Sequence, residues 1–352
     1  MDSLRAKIGQ LLIIGFSGCE ITENSSIVKA LQEENIGGVL LFDYDFVNKS
    51  YGKNLKSVAQ IKRLTSDLKH FSSHDRDDKL HQPLFVAIDY EGGAVDRLSK
   101  IDGCMETISA EKLAMLSEEE FVSEVKKMAQ TLKELGFNLN FAPVVDLNLN
   151  ENEGIIGKLG RSFSQNSDLV SQAANQFVSA FSDLGIVCSY KHFPGHGSAS
   201  GDTHQGFVDV TDTFHSEELL PYKTLLKDSN YPAMVMTAHV INRVLDNTGL
   251  PATLSYPILT ELLRKELGFN GVIVSDDLQM QAISDHYSLE ESLAMTLNAG
   301  ADMVIFGNQL GQHTAKEVID CIEELVKTGV VNAKRIDESY ERIIRQKQMI
   351  QN

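Results

Sequence analysis

The 352-residue chain lacks several features that would point straight to a function class. Its four cysteines, Cys19, Cys104, Cys188 and Cys321, are scattered with no Cys-x-x-Cys spacing, which excludes a thiolate metal site or redox pair legible in sequence and leaves reduced thiols as the expectation. Positive charge is scarce. Lys and Arg number 32 against 49 Asp and Glu, a net charge of −17, and no basic run occurs, so nucleic acid is not an expected partner. Long apolar runs are missing too: Leu11 to Phe16 is too short for a secretory core plus cleavage site and far too short to span a bilayer, so a cytoplasmic protein without a membrane partner is expected. No Gly-x-Gly-x-x-Gly or Gly-x-x-x-x-Gly-Lys-Ser/Thr element opens a helix after a strand, which removes support for nucleotide binding. His192 and His196 stand four apart, but Pro194 and Gly195 between them break a helix and no Glu follows the first histidine, so no metal site is expected. Internal repeats and low-complexity tracts are absent.

What remains is an ordinary globular composition, 42% hydrophobic and 23% charged, long enough for one large α/β barrel or two modest domains. Eight short apolar runs can be marked: Leu11 to Phe16, Val39 to Phe42, Leu84 to Asp89, Leu139 to Val144, Ile186 to Tyr190, Ala233 to Thr237, Val272 to Ser275 and Met303 to Phe306. Helical spacing shows between them, as in Leu55, Val58, Ile61, Leu64 and Leu68, or Leu169, Ala173, Phe177, Val178 and Phe181, and again in the tail from Ala333 to Gln348. Strand and helix alternation implies a parallel sheet, open or closed. The polar residues favour closure. Asp89, Asp146, Lys191, His239 and Asp276 each follow an apolar run, and a (β/α)8 barrel gathers all strand ends on one face. A single domain over residues 1–352 is therefore expected.

Two stretches carry the chemistry. Lys191 to His204 reads Lys-His-Phe-Pro-Gly-His-Gly-Ser-Ala-Ser-Gly-Asp-Thr-His; Asp202 and His204 are two apart, so in extended backbone a carboxylate and an imidazole project to the same side and form a candidate acid/base pair. Gly195, Gly197 and Gly201, with small residues between, predict a loop that moves. Gly271 to Met280 delivers Asp276 and Asp277 at a strand end. Alternation lets only one of them face a common centre.

The first stretch resembles family 3 glycoside hydrolases, and more narrowly the bacterial β-N-acetylglucosaminidases that use an Asp-His dyad, whose pattern is Lys-His-Phe-Pro-Gly-His-Gly, four looser positions, then Asp-Ser-His. Here Thr203 stands for the Ser. Ala87 to Arg97 is similar to the family's Asp-x-Glu-Gly-Gly-Arg-Val-x-Arg segment, with Ala94 where Arg is usual, and Phe141 to Asp146 to its Phe-Ala-Pro-Val-x-Asp segment. The resemblance implies Asp276 as nucleophile, His204 as acid/base and Asp202 as its orienting partner. It also implies that Asp89, Arg97, Arg161, Lys191 and His192 bind sugar. Asp277, Asp146 and His196 then read as structural, and His239 as a satisfied core histidine. The implied activity is that of a retaining exo-β-N-acetylglucosaminidase on a carbohydrate or muropeptide substrate, GlcNAc-1,6-anhydro-N-acetylmuramic acid with or without its peptide, in cell-wall recycling and with no cofactor. The alternatives are a phosphorylase on the same fold and a sugar-binding barrel without turnover. Oligomeric state and leaving-group preference have no residue-level signal.

Overall fold

The computed structural model describes residues 3–73, 82–201, 206–227 and 233–350. The candidate pair Asp202 and His204 lies outside them. Among the described residues eight strands close into one parallel barrel: β1 (Leu12–Gly15), β2 (Gly38–Leu40), β3 (Phe85–Ile88), β4 (Leu139–Asn140), β5 (Val187–Phe193), β6 (Met234–Thr237), β7 (Ile273–Asp277) and β8 (Met303–Phe306). Each pairs with its sequence neighbours, and β1 pairs with β8 through Leu12 against Val304 and Ile14 against Phe306. All eight marked apolar runs are barrel strands. Their side chains are buried on both faces, between barrel interior and surrounding helices, which is why they read as continuous apolar runs and not as alternation.

Helices cover the outside. Glu118–Leu135 shows why such a segment folds: Ser117 and Glu120 form a reciprocal capping box, Gly136 ends the helix at φ +86°, and Phe121, Val125, Met128, Leu132 and Leu135 line one buried stripe. Ser167–Ser182 buries Val170, Ala173, Ala174, Phe177, Val178 and Phe181. Leu169, expected on that face, is 54% exposed; it sits in the first turn, where its N–H is capped by Asn166 Oδ1. The tail helix spans Ala333–Gln348, as its spacing predicts. It closes the amino-end face of the barrel: Arg335 and Arg342 reach the buried carboxylate of Asp302, just before β8, and Lys347 donates to Gln10 Oε1 at 2.7 Å and the Gly37 carbonyl at 2.8 Å. Conserving this geometry is a matter of stability, since chemistry in such barrels sits at the opposite face.

Two strands differ from expectation. β4 is shorter, since Pro143 has no N–H to continue the ladder and pairing resumes only as a bridge between Val144 and Lys191. β5 is longer, running through Lys191, His192 and Phe193 although two of these are ionisable. Both are buried, and what permits that comes from the segments after β3 and β4. No described helix is long and apolar enough to cross a membrane.

Candidate active site

At the carboxyl ends of the strands lies a cavity of about 440 Å³. Asp89, Arg97, Arg161, Lys191, His192 and Asp276 all line it, so six of the eight expected site residues meet in one place, delivered by β5, β7 and the segments after β3 and β4. The other two, Asp202 and His204, belong to the residues not described.

The floor is a network of charges. Lys191 Nζ lies 3.2 Å from Asp89 Oδ1 and 2.7 Å from Glu91 Oε1. Arg161 grips the same Glu91 with both arms of its fork, Nε to Oε2 and Nη2 to Oε1, each at 2.8 Å. Arg97 lies 3.6 Å from Asp89 and 3.6 Å from Asp43, with its guanidinium over the Phe42 ring. Burial opposes ionisation of Glu91, but the charges of Arg161 and Lys191 outweigh it and hold the carboxyl far below the usual range. Burial likewise lowers the Lys191 ammonium, and Glu91 and Asp89 more than restore it. Lys191 is thus a fixed cation inside the barrel.

Asp146 explains the buried histidine on β5. Its carboxylate accepts His192 Nδ1 at 2.7 Å, the His192 backbone N–H at 3.2 Å and the His196 N–H at 2.9 Å. Arginine only donates, so the 3.4 Å contact from Arg161 Nη2 makes His192 Nε2 the acceptor and leaves the hydrogen on Nδ1, facing Asp146. One ring is fixed from both sides. Burial lowers Asp146's own readiness to ionise, yet His192 and the backbone donors bring its carboxyl below the usual value. His196 is pushed down to about 4, chiefly by burial, so it stays neutral at physiological pH.

At β7 both Asp276 and Asp277 line the cavity. Strict alternation predicted one, but the pairing of β7 with β8 shifts register between Val274 and Asp277, so the strand end loses its two-residue period. The two carboxylates are still distinguishable. Asp276 Oδ1 accepts the Asp277 N–H at 2.8 Å, whereas Asp277 Oδ1 accepts the Gln279 N–H at 3.0 Å in a local turn. His239, fully buried, donates from Nε2 to the Asp277 carbonyl at 2.9 Å and meets the Thr253 hydroxyl at 2.7 Å through Nδ1. It is a strut under β7.

In the described part of the loop after β5 the glycines are closely packed. A Cβ on Gly197 would come within 1.8 Å of the Leu147 carbonyl oxygen, and the Gly197 N–H donates to Glu218 Oε2 at 2.9 Å. Residues 191–199 are buried. Close packing is what these glycines permit.

A family model described as the glycosyl hydrolase family 3 N terminal domain matches residues 3–346. The chain belongs to glycoside hydrolase family 3. It is 34% identical over 333 residues to beta-hexosaminidase A of Pseudoalteromonas piscicida, a match covering 89% of this chain and 53% of that one. It is 34% identical over 277 residues to beta-hexosaminidase LpqI of Mycobacterium tuberculosis, covering 74% and 67%. Among solved structures, a family 3 beta-N-acetylglucosaminidase from Paenibacillus sp. str. FPU-7 superposes with a TM-score of 0.87 at 31% identity, covering all of this chain and 63% of that one. The chain thus spans about half of the first relative and under two thirds of the Paenibacillus chain.

In this family 3 barrel two charged groups of the site went unread in the sequence, Glu91 and Asp43. Glu91 had a usable signal: it stands two residues from Asp89 after a strand, so extended backbone points both side chains the same way. The Gly92-Gly93 turn, at φ +99° and +61°, then reverses the chain so that Arg97 returns to the same cavity. Asp43 had none, since it follows β2 as one of several acidic residues. Among the described residues no cluster of three or more His, Cys, Asp or Glu is arranged to hold a metal ion.

Proposed function

We propose that this chain is a retaining exo-β-N-acetylglucosaminidase that removes non-reducing terminal GlcNAc from peptidoglycan fragments, GlcNAc-1,6-anhydro-N-acetylmuramic acid with or without its peptide. The observation that carries this is the convergence of Asp89, Arg97, Arg161, Lys191, His192 and Asp276 on one cavity of a family 3 barrel. The relatives described above are named beta-hexosaminidases, LpqI among them. A pyranose presents a ring of hydroxyls, and a floor of paired cations and carboxylates offers both donors and acceptors to it. Asp89 would accept from two vicinal hydroxyls while Lys191, Arg161 and His192 fix the ring.

In this mechanism Asp276 attacks the anomeric carbon as the glycosidic bond breaks, and protonated His204 gives its proton to the departing oxygen. The neutral imidazole then takes a proton from the water that opens the glycosyl-aspartate, so configuration is retained. Asp202 orients His204 and stabilises its cation. A cytoplasmic location fits four free cysteines, which a reducing compartment maintains.

The test is hydrolysis of 4-nitrophenyl β-GlcNAc against the β-glucoside and β-xyloside, with Asp276→Asn, His204→Ala and Asp202→Asn beside wild type. GlcNAc selectivity, near-total loss in Asp276→Asn and large losses in the other two are expected. Wild-type rates in Asp276→Asn would end the nucleophile assignment. Sugar 1-phosphate formed in phosphate buffer would make the enzyme a phosphorylase; binding without turnover would make it a lectin-like barrel.

A further inference from the structure

The mouth of the cavity is built from side chains that the charged floor does not use. Phe46, Leu159 and Leu310 line it while remaining 54%, 37% and 47% exposed. They come from three separate segments: the hairpin of Tyr44–Asp45 and Ser50–Tyr51, the residue after the short helix Ile155–Lys158, and the loop after β8. Ile155 of that helix lines the cavity as well. Three independent segments each leaving an aliphatic or aromatic group in water beside one cavity is a pattern of ligand sites, because burial by a ligand recovers the hydrophobic free energy that folding leaves unused.

The hairpin is held firmly. Asp45 accepts the N–H groups of Val47 at 2.9 Å and Asn48 at 3.0 Å, and Tyr44 packs edge-on against Phe46 at 5.3 Å and Tyr51 at 5.1 Å. Gln309 Nε2 donates to the Tyr44 carbonyl at 2.9 Å, while Lys53 Nζ donates to Gln309 Oε1 at 2.9 Å, tying the hairpin to the segment that carries Leu310. Phe46 is therefore presented from a braced position, and its ordering cost is met by folding and not by binding.

We propose that this rim is the leaving-group subsite and takes the apolar face of a second pyranose, with Phe46 as its stacking platform. This rests on the hydrolase reading above: with the terminal sugar on the charged floor and its anomeric carbon at Asp276, the departing group points to the mouth. A pyranose shows C–H groups on its faces and hydroxyls on its edge, and an aromatic face attracts the weakly positive C–H side. The occupant is recognised by area, not charge. The rim residues named carry no charge, and the cations lining the cavity, Arg97, Arg161 and Lys191, all lie against carboxylates already.

The experiment compares kcat/KM for methyl β-GlcNAc, whose leaving group is too small to reach the rim, with that for the β-1,4-linked GlcNAc disaccharide. Phe46→Ala lowers the disaccharide value by about tenfold and the methyl glycoside value by less than about twofold, Phe46→Tyr retains both, and Leu310→Ala shows a smaller loss of the same selectivity. Equal losses on both substrates, or no loss on either, overturn the subsite. If wild type hydrolyses neither glycoside, the hydrolase reading fails instead; saturation-transfer NMR of the disaccharide then decides the platform, with signal lost in Phe46→Ala supporting it and signal unchanged refuting it.

Discussion

Replacing Glu91 by Gln keeps the shape of the side chain and removes one negative charge from between two buried cations. The side chains of Glu91 and Lys191 are each only 3% exposed and that of Arg161 is 10% exposed, so water cannot take over the role of the carboxylate. At an effective dielectric near 20, each contact of 2.7 to 2.8 Å is worth roughly 6 kcal/mol before desolvation. Desolvation returns several kcal/mol per ion, and breaking one partner of such a cluster leaves a net loss of about 3–5 kcal/mol. For 352 residues, at about 2.1 cal/mol/K each, a loss near 4 kcal/mol lowers Tm by about 5 °C. Scanning calorimetry of wild type and Glu91→Gln at pH 7 reads this directly. The folded-state pKa of Glu91 is depressed, so its stabilisation is present above the ordinary carboxylate value of about 4.3 and is lost as pH falls towards the folded value. The gap between the two proteins therefore narrows in acid. Adding Arg161→Met to Glu91→Gln recovers part of the loss, because one stranded charge goes with it. A single variant within 1 °C of wild type, or a double variant less stable than the single, would refute the argument.

Two other predictions follow from buried polar groups and backbone geometry. Burial raises the pKa of Glu218, so this residue favours folding below its unfolded value of about 4.3 and loses that contribution as pH rises through the folded value; Glu218→Gln keeps one acceptor where the carboxylate has two, for Gly197 N–H and His215 N–H, and the stability difference between wild type and variant in urea should shrink from pH 4 to pH 8, whereas a difference that grows with pH would contradict the sign. Gly93→Ala places a Cβ 2.8 Å from Ser109 Cα at φ +61°, and a loss of more than ~1 kcal/mol by chemical denaturation is expected, with neutrality as the refuting outcome.

The barrel was legible because parallel strands buried on both faces leave apolar runs, and all eight did. The chemistry of its rim was legible where charge followed a run at once, as at Asp89 and Asp276. It was less so on β5, where Lys191 and His192 looked like the start of a loop and are strand residues. Their burial depends on Glu91 and Asp146, which approach from the segments after β3 and β4, and a local window holds no trace of such partners. Arg161 posed the same difficulty: an isolated arginine in a loop suggests a solvated charge, and only the fold reveals the carboxylate that draws it inward. The lapse of alternation at Asp276 and Asp277 comes from a register shift against β8, about 30 residues downstream, and is likewise invisible from the segment itself. The aromatic hairpin at the mouth carried no signal, since exposed Phe and Tyr in a short loop have no period to read.

The seam between β1 and β8 fixes when this molecule can become whole. Leu12 finds its partner in Val304, almost 300 residues later, so the ring stays open while the intervening segment is made, an interval of roughly 15 to 60 s at ~5–20 residues per second. Until then the first strand presents an unpaired apolar edge, the kind of surface that invites association with other nascent chains. Synthesis speed and chaperone supply therefore bear on how long that edge stays open to other chains.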